Sequence, residues 1–337
     1  MKIQRIAGAL GAEIQGVDLS QPISDALAQE LRGALREHLV IFLRDQPLSP
    51  AQFLAFAEAM GQPIEYPFVK GLPGFPCVIE VKKLEHERNN FGGIWHSDTT
   101  YLPEPPMGSM LLAREIPPFG GDTLFANQYM AWESLSDTFR AMLDGRLGLS
   151  SSAKADVTRT REDRLKTDAK DAAPSQLQAA HPIARTHPET GRKALFVNVA
   201  HTVGIEGLTD EESAPLLNFL FQHQIKPEFT CRFQWQPHSL AFWDNRCAMH
   251  NPVNDYHGFR RVMHRITLAG DVTTAGSAAS AINGGTASLS AARNFNVAAG
   301  GADEFLPEVF EVHDNGWPDG GIGFWVTAVG MRGQRYF

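Results

Sequence analysis

The residues best suited to chemistry lie in residues 92–101, which read GGIWHSDTTY. This stretch contains His96 and Asp98, and residues two apart on an extended strand point to the same face. One imidazole and one carboxylate would then converge, and such a pair suits a divalent first-row metal. A second histidine would complete the 2-His-1-carboxylate set of non-haem Fe(II) oxygenases. Alone, this tripeptide is weak evidence, because most such tripeptides are surface polar residues.

The third ligand should be a histidine that is distant in sequence and near in space, and the chain has 12 histidines. We select His250, because it follows an apolar run of strand length and residues 244–246 (DNR), so that a rigid element would position it. His264 is the rival ligand. It precedes Arg265 on the last predicted strand and therefore faces away from Arg261 and Arg265.

Two arginines on that last strand indicate an anion site. Arg261, Met263, Arg265 and Thr267 alternate and therefore share one face. Guanidinium groups directed into a barrel interior are costly unless they meet anions, and arginine suits bidentate recognition of carboxylates and other oxyanions. The alternative is a pair of solvated charges on an edge strand. Arg260, on the other face, is interpreted as a surface charge.

Charge and cysteine content limit the class of protein. The 337 residues carry a net charge of −8, which argues against a nucleic-acid partner but allows a small anionic substrate held by local arginines. The cysteines Cys77, Cys231 and Cys247 give no disulfide framework and no zinc knuckle. We find no signal peptide and no apolar run long enough to span a membrane, so we expect a cytoplasmic protein with no membrane partner. The oligomeric state stays open, with a homo-oligomer among the alternatives.

Many short apolar segments separated by proline and glycine turns, with a few helices, predict a β-rich α+β fold of the sandwich or jelly-roll type. Helices are predicted after the N-cap residues Ser24, Ser49 and Thr209, and a further short helix over residues 132–143. Residues 39–43 predict a buried strand. There is no dinucleotide-binding motif and no P-loop.

A change in composition divides the chain. Residues 1–271 form the predicted main domain, and residues 272–302 are rich in Ala, Gly and Ser and predict a flexible linker. Residues 303–337 regain Phe and Trp and predict a C-terminal appendage to which no role is assigned. We expect activity to survive deletion of residues 272–337.

Two polar segments of the main domain are candidate lids. Residues 82–90 form a charged loop just before the H-x-D motif, and a plain surface loop is the alternative interpretation. Residues 150–180 show no clear core face, so they are interpreted as an insertion or lid, with a disordered surface loop as the alternative.

Taken as an ordered set, these motifs resemble the taurine dioxygenase family, the TauD/TfdA-like branch of Fe(II)/2-oxoglutarate dioxygenases. The resemblance covers about residues 5–271. It rests on residues 95–98 (WHSD), 118–123 (PFGGDT), 193–198 (KALFVN), 243–246 (WDNR) with His250, and 260–265 (RRVMHR).

The resemblance implies a double-stranded β-helix, a cupin-like jelly roll, with flanking helices. It implies that His96, Asp98 and His250 are catalytic residues that bind Fe(II), with 2-oxoglutarate and O₂ as co-substrates and succinate and CO₂ as co-products. The far carboxylate of 2-oxoglutarate would meet Arg261 and Thr123.

For the substrate, the resemblance implies that Arg265 meets an anionic group. Tyr66 is retained, and His201 stands where the family has a pocket Phe. Taurine enzymes carry a His and an Asn that contact the substrate, and this chain has Pro63 and Gly92 there. Because these polar partners are lost, taurine is disfavoured, and another alkylsulfonate, an alkyl sulfate ester or an aryloxyalkanoate is favoured. Each of the sulfur compounds would place the enzyme in sulfur metabolism.

Two other functions stay open from the sequence. One is a catalytically silent β-helix protein that binds a small molecule, against which the intact ligand set speaks. The other is a zinc-dependent hydrolase that uses the same ligands, in which the two inward arginines and Thr123 have no obvious use. Substrate-triggered succinate formation separates the dioxygenase from the silent protein, and metal analysis with O₂ consumption separates it from the hydrolase.

Overall fold

The structure is a computed structural model, and it describes residues 1–90, 92–153 and 177–276. The chain divides into two units, Met1–Gly284 and Gly285–Phe337, and every described residue lies in the first. The predicted appendage over residues 303–337 lies outside the described residues, as do nearly all of the predicted linker and most of residues 150–180. In the part of the chain that is described, no helix combines the length and the apolar character needed to cross a membrane.

The secondary structure is dominated by short strands. In chain order the described strands are β1 (Lys2–Arg5), β2 (Ala12–Gln15), β3 (Val40–Leu43), β4 (Pro63–Ile64), β5 (Gly71–Leu72), β6 (Phe75–Lys83), β7 (Gly108–Glu115), β8 (Thr123–Asn127), β9 (Leu147–Ser151), β10 (Gln178–Pro182), β11 (Ala184–Thr186), β12 (Lys193–Leu195), β13 (Thr202–Ile205), β14 (Thr230–Phe233), β15 (Leu240–Asp244), β16 (Ala248–Pro252) and β17 (Arg261–Leu268). The described helices are α1 (Asp25–His38), α2 (Pro50–Met60), α3 (Gln128–Glu133), α4 (Asp137–Leu143) and α5 (Asp210–His223).

Two antiparallel sheets build the main body. The large sheet runs β1-β2-β3-β15-β7-β17-β6-β5, with β4 also paired to β17, and only β2 and β3 in it are parallel. A smaller sheet runs β14-β8-β16. Two further small sheets, β10-β9-β13 and β11-β12, complete the described strands. This architecture confirms the predicted β-rich jelly roll with flanking helices.

Strand β3 shows how the layers are held together. Successive residues of a strand face opposite sides, and all four residues of β3 are buried. Ile41 and Leu43 pack in one core with the apolar faces of α1 and α2, whereas Phe42 packs in a second core with Phe125 of β8 and Phe233 of β14. The rings of Phe42 and Phe233 stack with centroids 3.9 Å apart. Burial of each such side chain stabilises the fold by roughly 1.5–3 kcal/mol. Because its side chains enter both cores, β3 joins the helices to the small sheet.

The predicted helix starts are confirmed. Ser24 accepts a hydrogen bond from the backbone of Leu27, and capping boxes open α2 at Ser49 and α5 at Thr209. The single helix predicted over residues 132–143 is wrong, because the chain forms α3 and α4 there. A new N-cap at Ser136 starts α4 and ends any continuous helix.

The stretch that carries the H-x-D pair is not a strand, contrary to the prediction. His96 forms only an isolated bridge to His250, and the chain then turns through residues 98–101. Thr99 has a φ of +42°, a left-handed conformation that β-branched residues avoid. A hydrogen bond from the Leu102 backbone N–H to the Thr99 carbonyl, 3.0 Å long, closes this turn. The turn thus begins at Asp98, directly after the segment that carries the bridge residue His96.

The candidate lid over residues 82–90 is tied down at both ends. Its first residues belong to β6, and near its end Asn90 donates hydrogen bonds to the carbonyls of Pro252 and Val253, at 3.3 and 3.1 Å. Tyr256 donates to the side chain of Asn90 at 2.7 Å. These contacts hold the loop against the turn that follows β16. Its lid function stays a prediction.

Residues just beyond position 271 contact the main domain. Thr273 Oγ1 lies 2.9 Å from His181 Nδ1, and the Thr186 backbone N–H donates to the carbonyl of Thr274 at 2.8 Å. Asp271 lies 3.4 Å from the fully buried guanidinium of Arg185. A truncation that respects these contacts should therefore end after Gly276 and not at residue 271.

We expect a protein that ends at Gly276 to have the same free energy of unfolding as the main domain of the full-length protein. A matched protein that ends at Gly270 should have a free energy of unfolding about 2 kcal/mol lower, because His181 and Thr186 lose hydrogen bonds and Arg185 loses its ion pair. Urea unfolding followed by tryptophan fluorescence measures the difference. Equal unfolding free energies for the two truncations would contradict the prediction.

Candidate metal centre

Two backbone hydrogen bonds join the segments that carry the two candidate histidine ligands. The His96 N–H donates to the His250 carbonyl at 3.0 Å, and the His250 N–H donates to the His96 carbonyl at 2.9 Å. His250 lies in the middle of β16, whose neighbour β8 fixes it opposite Phe125. The two imidazole rings consequently lie with centroids 4.2 Å apart.

The structure brings the predicted ligands together. One donor atom from each of His96, Asp98 and His250 lies within 4.8 Å of the others, and all three residues are buried. Asp98 Oδ1 is 3.6 Å from His96 Nε2 and 4.0 Å from His250 Nε2. The rival His264 is not part of this cluster. It lies opposite Glu80 and Leu112 in the large sheet, and its pKa falls to about 4, because of burial and then of Arg114.

The protonation states suit a cation. His96 Nδ1 lies 2.7 Å from the Ile94 carbonyl, which can only accept, so Nδ1 donates this hydrogen bond and Nε2 is the nitrogen that faces Asp98. Burial lowers the pKa of His250 well below its usual value, and this imidazole is neutral. Burial alone would raise the pKa of Asp98, but the Arg265 guanidinium, 2.8 Å from Oδ1, holds the pKa well below its usual value. Two imidazole nitrogens and one carboxylate fit a divalent first-row metal.

A buried guanidinium with unused donors lies on the same strand as Arg265. Arg261 is 6% exposed, and its Nε and Nη2 have no hydrogen-bond partner among the described residues. Its Cζ is 5.7 Å from the Trp235 ring centroid, and the Trp235 indole donates to Thr123 Oγ1 at 2.9 Å. Arg261, Trp235 and Thr123 therefore form one corner. Because a buried charge with unused donors is unfavourable, this corner suits a carboxylate of a ligand.

Arg265 contacts the candidate ligand carboxylate directly. Besides the ion pair with Asp98, its Nη2 lies 3.2 Å from Ser109 Oγ, and its Cζ is 5.4 Å from the Tyr66 ring centroid. The sequence predicted a role for Arg265 and Tyr66 in substrate binding, and that role stays a prediction. The structure adds a further role, because Arg265 neutralises Asp98.

His201 lies close to the centre. Its ring packs edge-on against Tyr101, with centroids 5.1 Å apart, and its centroid is 6.2 Å from that of His96. The side chain of Asn198 accepts a hydrogen bond from the His201 backbone at 2.9 Å, which fixes the position of this residue. His201 is thus placed to line a pocket beside the ligands, while its contact with substrate stays a prediction.

The sequence-based prediction missed Ser109 as a site residue. Ser109 is fully buried on β7 and donates a hydrogen bond to Asp98 Oδ2 at 2.7 Å. The signal was a lone hydroxyl in the otherwise apolar run GSMLLA of residues 108–113. A buried hydroxyl in such a run requires a polar partner, and the ligand carboxylate is that partner.

A second group of potential ligands comprises His187, Asp244 and Cys247, and its donors are already used. His187 Nδ1 accepts from two backbone N–H groups, both at 3.2 Å, so its Nε2–H donates to Asp244 Oδ2 at 3.0 Å. Both oxygens of Asp244 also accept hydrogen bonds from Arg246. Burial raises the pKa of Cys247 well above its usual value and keeps the thiol protonated. This group is therefore a hydrogen-bonded support for the turn before β16, and not a metal site.

Comparisons with known proteins agree with this geometry. A family model described as "Taurine catabolism dioxygenase TauD, TfdA family" matches residues 2–267. The chain is 34% identical over 281 residues to an alkylsulfatase of Acinetobacter baylyi, covering 81% of this chain and 86% of the relative.

It is also 32% identical over 278 residues to an alpha-ketoglutarate-dependent sulfate ester dioxygenase of Pseudomonas putida, covering 81% of this chain and 90% of the relative. A crystal structure of a taurine dioxygenase from Burkholderia xenovorans is similar with a TM-score of 0.68 and 34% identity, covering 84% of this chain and 99% of that chain. The likeness thus extends over the whole main domain.

Replacement of either histidine ligand should weaken metal binding. We expect His96→Ala and His250→Ala to bind Mn(II) at least about ten-fold more weakly than the unmodified protein, because each variant removes one of three donors. His264→Ala is the matched control, since it removes a partly buried histidine from the other face of β17. Isothermal titration with Mn(II) gives the affinities. Equal losses in all three variants, or none in the first two, would contradict the ligand assignment.

Proposed function

This chain belongs to the TauD/TfdA family and is a 2-oxoglutarate-dependent dioxygenase, and we propose that it uses Fe(II) and O₂ to hydroxylate a small anionic organic substrate. The observation that carries the proposal is the buried convergence of His96, Asp98 and His250, together with the buried guanidinium of Arg261, whose Nε and Nη2 have no partner among the described residues. The first three supply the donor set for the metal. Arg261 supplies the anchor for a dicarboxylate co-substrate.

Bound iron would supply the activation of O₂ and the oxidation of an otherwise unreactive C–H bond, with succinate and CO₂ as co-products. Three protein ligands leave coordination positions for the co-substrate. Arg261 and Thr123 would bind the far carboxylate of 2-oxoglutarate and orient its other end towards the metal. The burial of the ligand residues excludes bulk water, which strengthens these charge contacts.

For the substrate we propose an alkyl sulfate ester, with an alkylsulfonate or an aryloxyalkanoate as the alternatives. The two relatives named above are an alkylsulfatase and a sulfate ester dioxygenase, which supports the sulfate ester. Hydroxylation of the carbon that bears the sulfate would give an unstable product, which collapses to an aldehyde and inorganic sulfate. The reaction would then release sulfur for metabolism. Arg265 uses Nη2 for Asp98 and Ser109, and its Nε, which has no hydrogen-bond partner among the described residues, leaves it able to contact the anionic group of the substrate as well.

The geometry at Gly92 supports a substrate other than taurine. Gly92 has a φ of +68°, and a Cβ placed there would lie 3.0 Å from His96 Cε1 and 3.3 Å from His96 Nε2. A side chain at this position would therefore crowd the edge of a ligand imidazole. The absence of one leaves this side of the centre without the amide that the taurine enzymes use, and favours a substrate whose middle portion is apolar.

Substrate-triggered succinate formation tests the proposed function. The Fe(II)-loaded protein with 2-oxoglutarate and ascorbate should form succinate at least about ten-fold faster with one of a medium-chain alkyl sulfate, an alkylsulfonate and an aryloxyacetate than with no substrate, because substrate binding triggers the O₂ reaction. Taurine serves as the comparison substrate. Absence of stimulation by every compound, with the metal bound, would contradict the enzymatic assignment. Stimulation by taurine above the alkyl sulfate would contradict the substrate assignment.

The role of Arg261 can be tested against its neighbour. We expect Arg261→Gln to raise the KM for 2-oxoglutarate by about 100-fold with a smaller change in kcat, because a bidentate charge pair in a buried site is lost. Arg260→Gln is the matched control, since Arg260 is a surface residue that pairs with Glu85 at 3.1 Å. Succinate formation over a range of 2-oxoglutarate concentrations gives both constants. Similar KM values in the two variants would contradict the assignment.

A further inference from the structure

Ser109 lies at the centre of a hydrogen-bond network beneath the proposed metal centre. It is 0% exposed, and on β7 it pairs with Trp243 of β15 on one side and with Thr267 of β17 on the other. Both neighbouring strands are thereby fixed around it. Because strands on both sides hold the backbone of Ser109, the fold determines which groups its side chain can hydrogen-bond.

The three polar contacts of Ser109 Oγ determine where its hydrogen points. Asn245 Nδ2 lies 3.1 Å away and Arg265 Nη2 lies 3.2 Å away, and both groups can only donate. A hydroxyl accepts two hydrogen bonds and donates one. Both lone pairs are used, so the single O–H of Ser109 must donate to the remaining partner, Asp98 Oδ2, at 2.7 Å.

The orientation of the Asn245 amide, on which this direction depends, is fixed independently. The indole Nε1–H of Trp243 can only donate, and it lies 2.9 Å from Asn245 Oδ1. The Asp98 backbone N–H also donates to Asn245 Oδ1, at 3.4 Å. The oxygen of the amide therefore faces these two donors, and its NH₂ group faces Ser109. The result is a one-way chain from Trp243 through Asn245 and Ser109 to Asp98.

We propose that Ser109 is a positioning residue that reserves one oxygen of Asp98 for the metal. Its O–H occupies Oδ2, while Oδ1, which also pairs with Arg265 Nη2 at 2.8 Å, is the oxygen nearest to His96 and His250 and the donor that faces the cation site. A carboxylate held in this way coordinates through one oxygen and leaves a position for the co-substrate. Without the Ser109 hydroxyl, Arg265 still holds Oδ1, but Oδ2 is released and can bind the cation as well. This inference rests on the proposed ligand role of Asp98.

The test is the metal affinity of Ser109→Ala, which removes the hydroxyl and little volume. We expect its dissociation constant for Mn(II), measured from the electron paramagnetic resonance signal of free Mn(II) without co-substrate, to rise about ten-fold. The visible absorption of the Co(II)-loaded variant should also change in intensity, because a carboxylate that binds through both oxygens raises the coordination number. Ser239→Ala is the matched control, since Ser239 is equally buried and contacts Arg44 and the Gln236 backbone instead of the ligands.

A second variant keeps the test decisive if Ser109→Ala fails to fold. Ser109→Cys keeps a side chain of similar size with a weak S–H donor, and we expect its Mn(II) affinity to lie between those of the unmodified protein and Ser109→Ala. Wild-type Mn(II) affinity and an unchanged Co(II) spectrum in Ser109→Ala would overturn the inference, as would an equal loss in Ser239→Ala. Failure of the unmodified protein to bind one equivalent of Mn(II) would instead overturn the ligand assignment itself, so the two failures are distinct.

Discussion

The site depends on the pair of backbone hydrogen bonds between His96 and His250. Because these bonds are mutual, at 3.0 and 2.9 Å, they fix both the separation and the register of two segments from opposite parts of the main domain. The small sheet supplies one segment through β16, and a loop supplies the other. The large sheet lies behind them and contributes Ser109, Arg261 and Arg265. A shift of the bridge by one residue would turn one of the imidazoles to the opposite side.

Charge balance inside the barrel follows from this arrangement. Asp98 and Arg265 are both nearly inaccessible to water, and removal of either alone would leave an uncompensated buried charge that costs on the order of 3–5 kcal/mol. Arg261 differs, because two of its N–H groups find no partner among the described residues. The Arg265 guanidinium is thus compensated by a carboxylate of the protein, whereas the two free N–H groups of Arg261 suit the anchor that we propose for the co-substrate. This difference in partners distinguishes the two arginines, whose spacing on the strand gives them equivalent positions on one face.

The sequence predicted the site better than it predicted the local structure around it. Spacing on a strand suffices to place Arg261 and Arg265 on one face, because β17 pairs with β6 in continuous register from Arg261 to Arg265. The structure places His250, and not His264, beside His96 and Asp98, because the bridge between His96 and His250 holds the two segments together. The strand predicted at the H-x-D pair was wrong, since no local sequence pattern indicates that Thr99 adopts a left-handed conformation. Ser109 was missed because its role depends on Asn245 and Asp98, which are brought to it only by long-range strand pairing.

The left-handed Thr99 has a consequence for how the protein tolerates change. A β-branched residue in that conformation stores about 1–3 kcal/mol of backbone strain, directly beside Asp98. The surrounding fold must supply that energy from its own margin, which for most proteins is only a few times larger. Substitutions that weaken distant core contacts therefore reduce the same margin that holds this turn in its strained conformation. The same small margin of stability therefore determines how well the rest of the domain tolerates mutation and whether the turn beside Asp98 keeps its conformation.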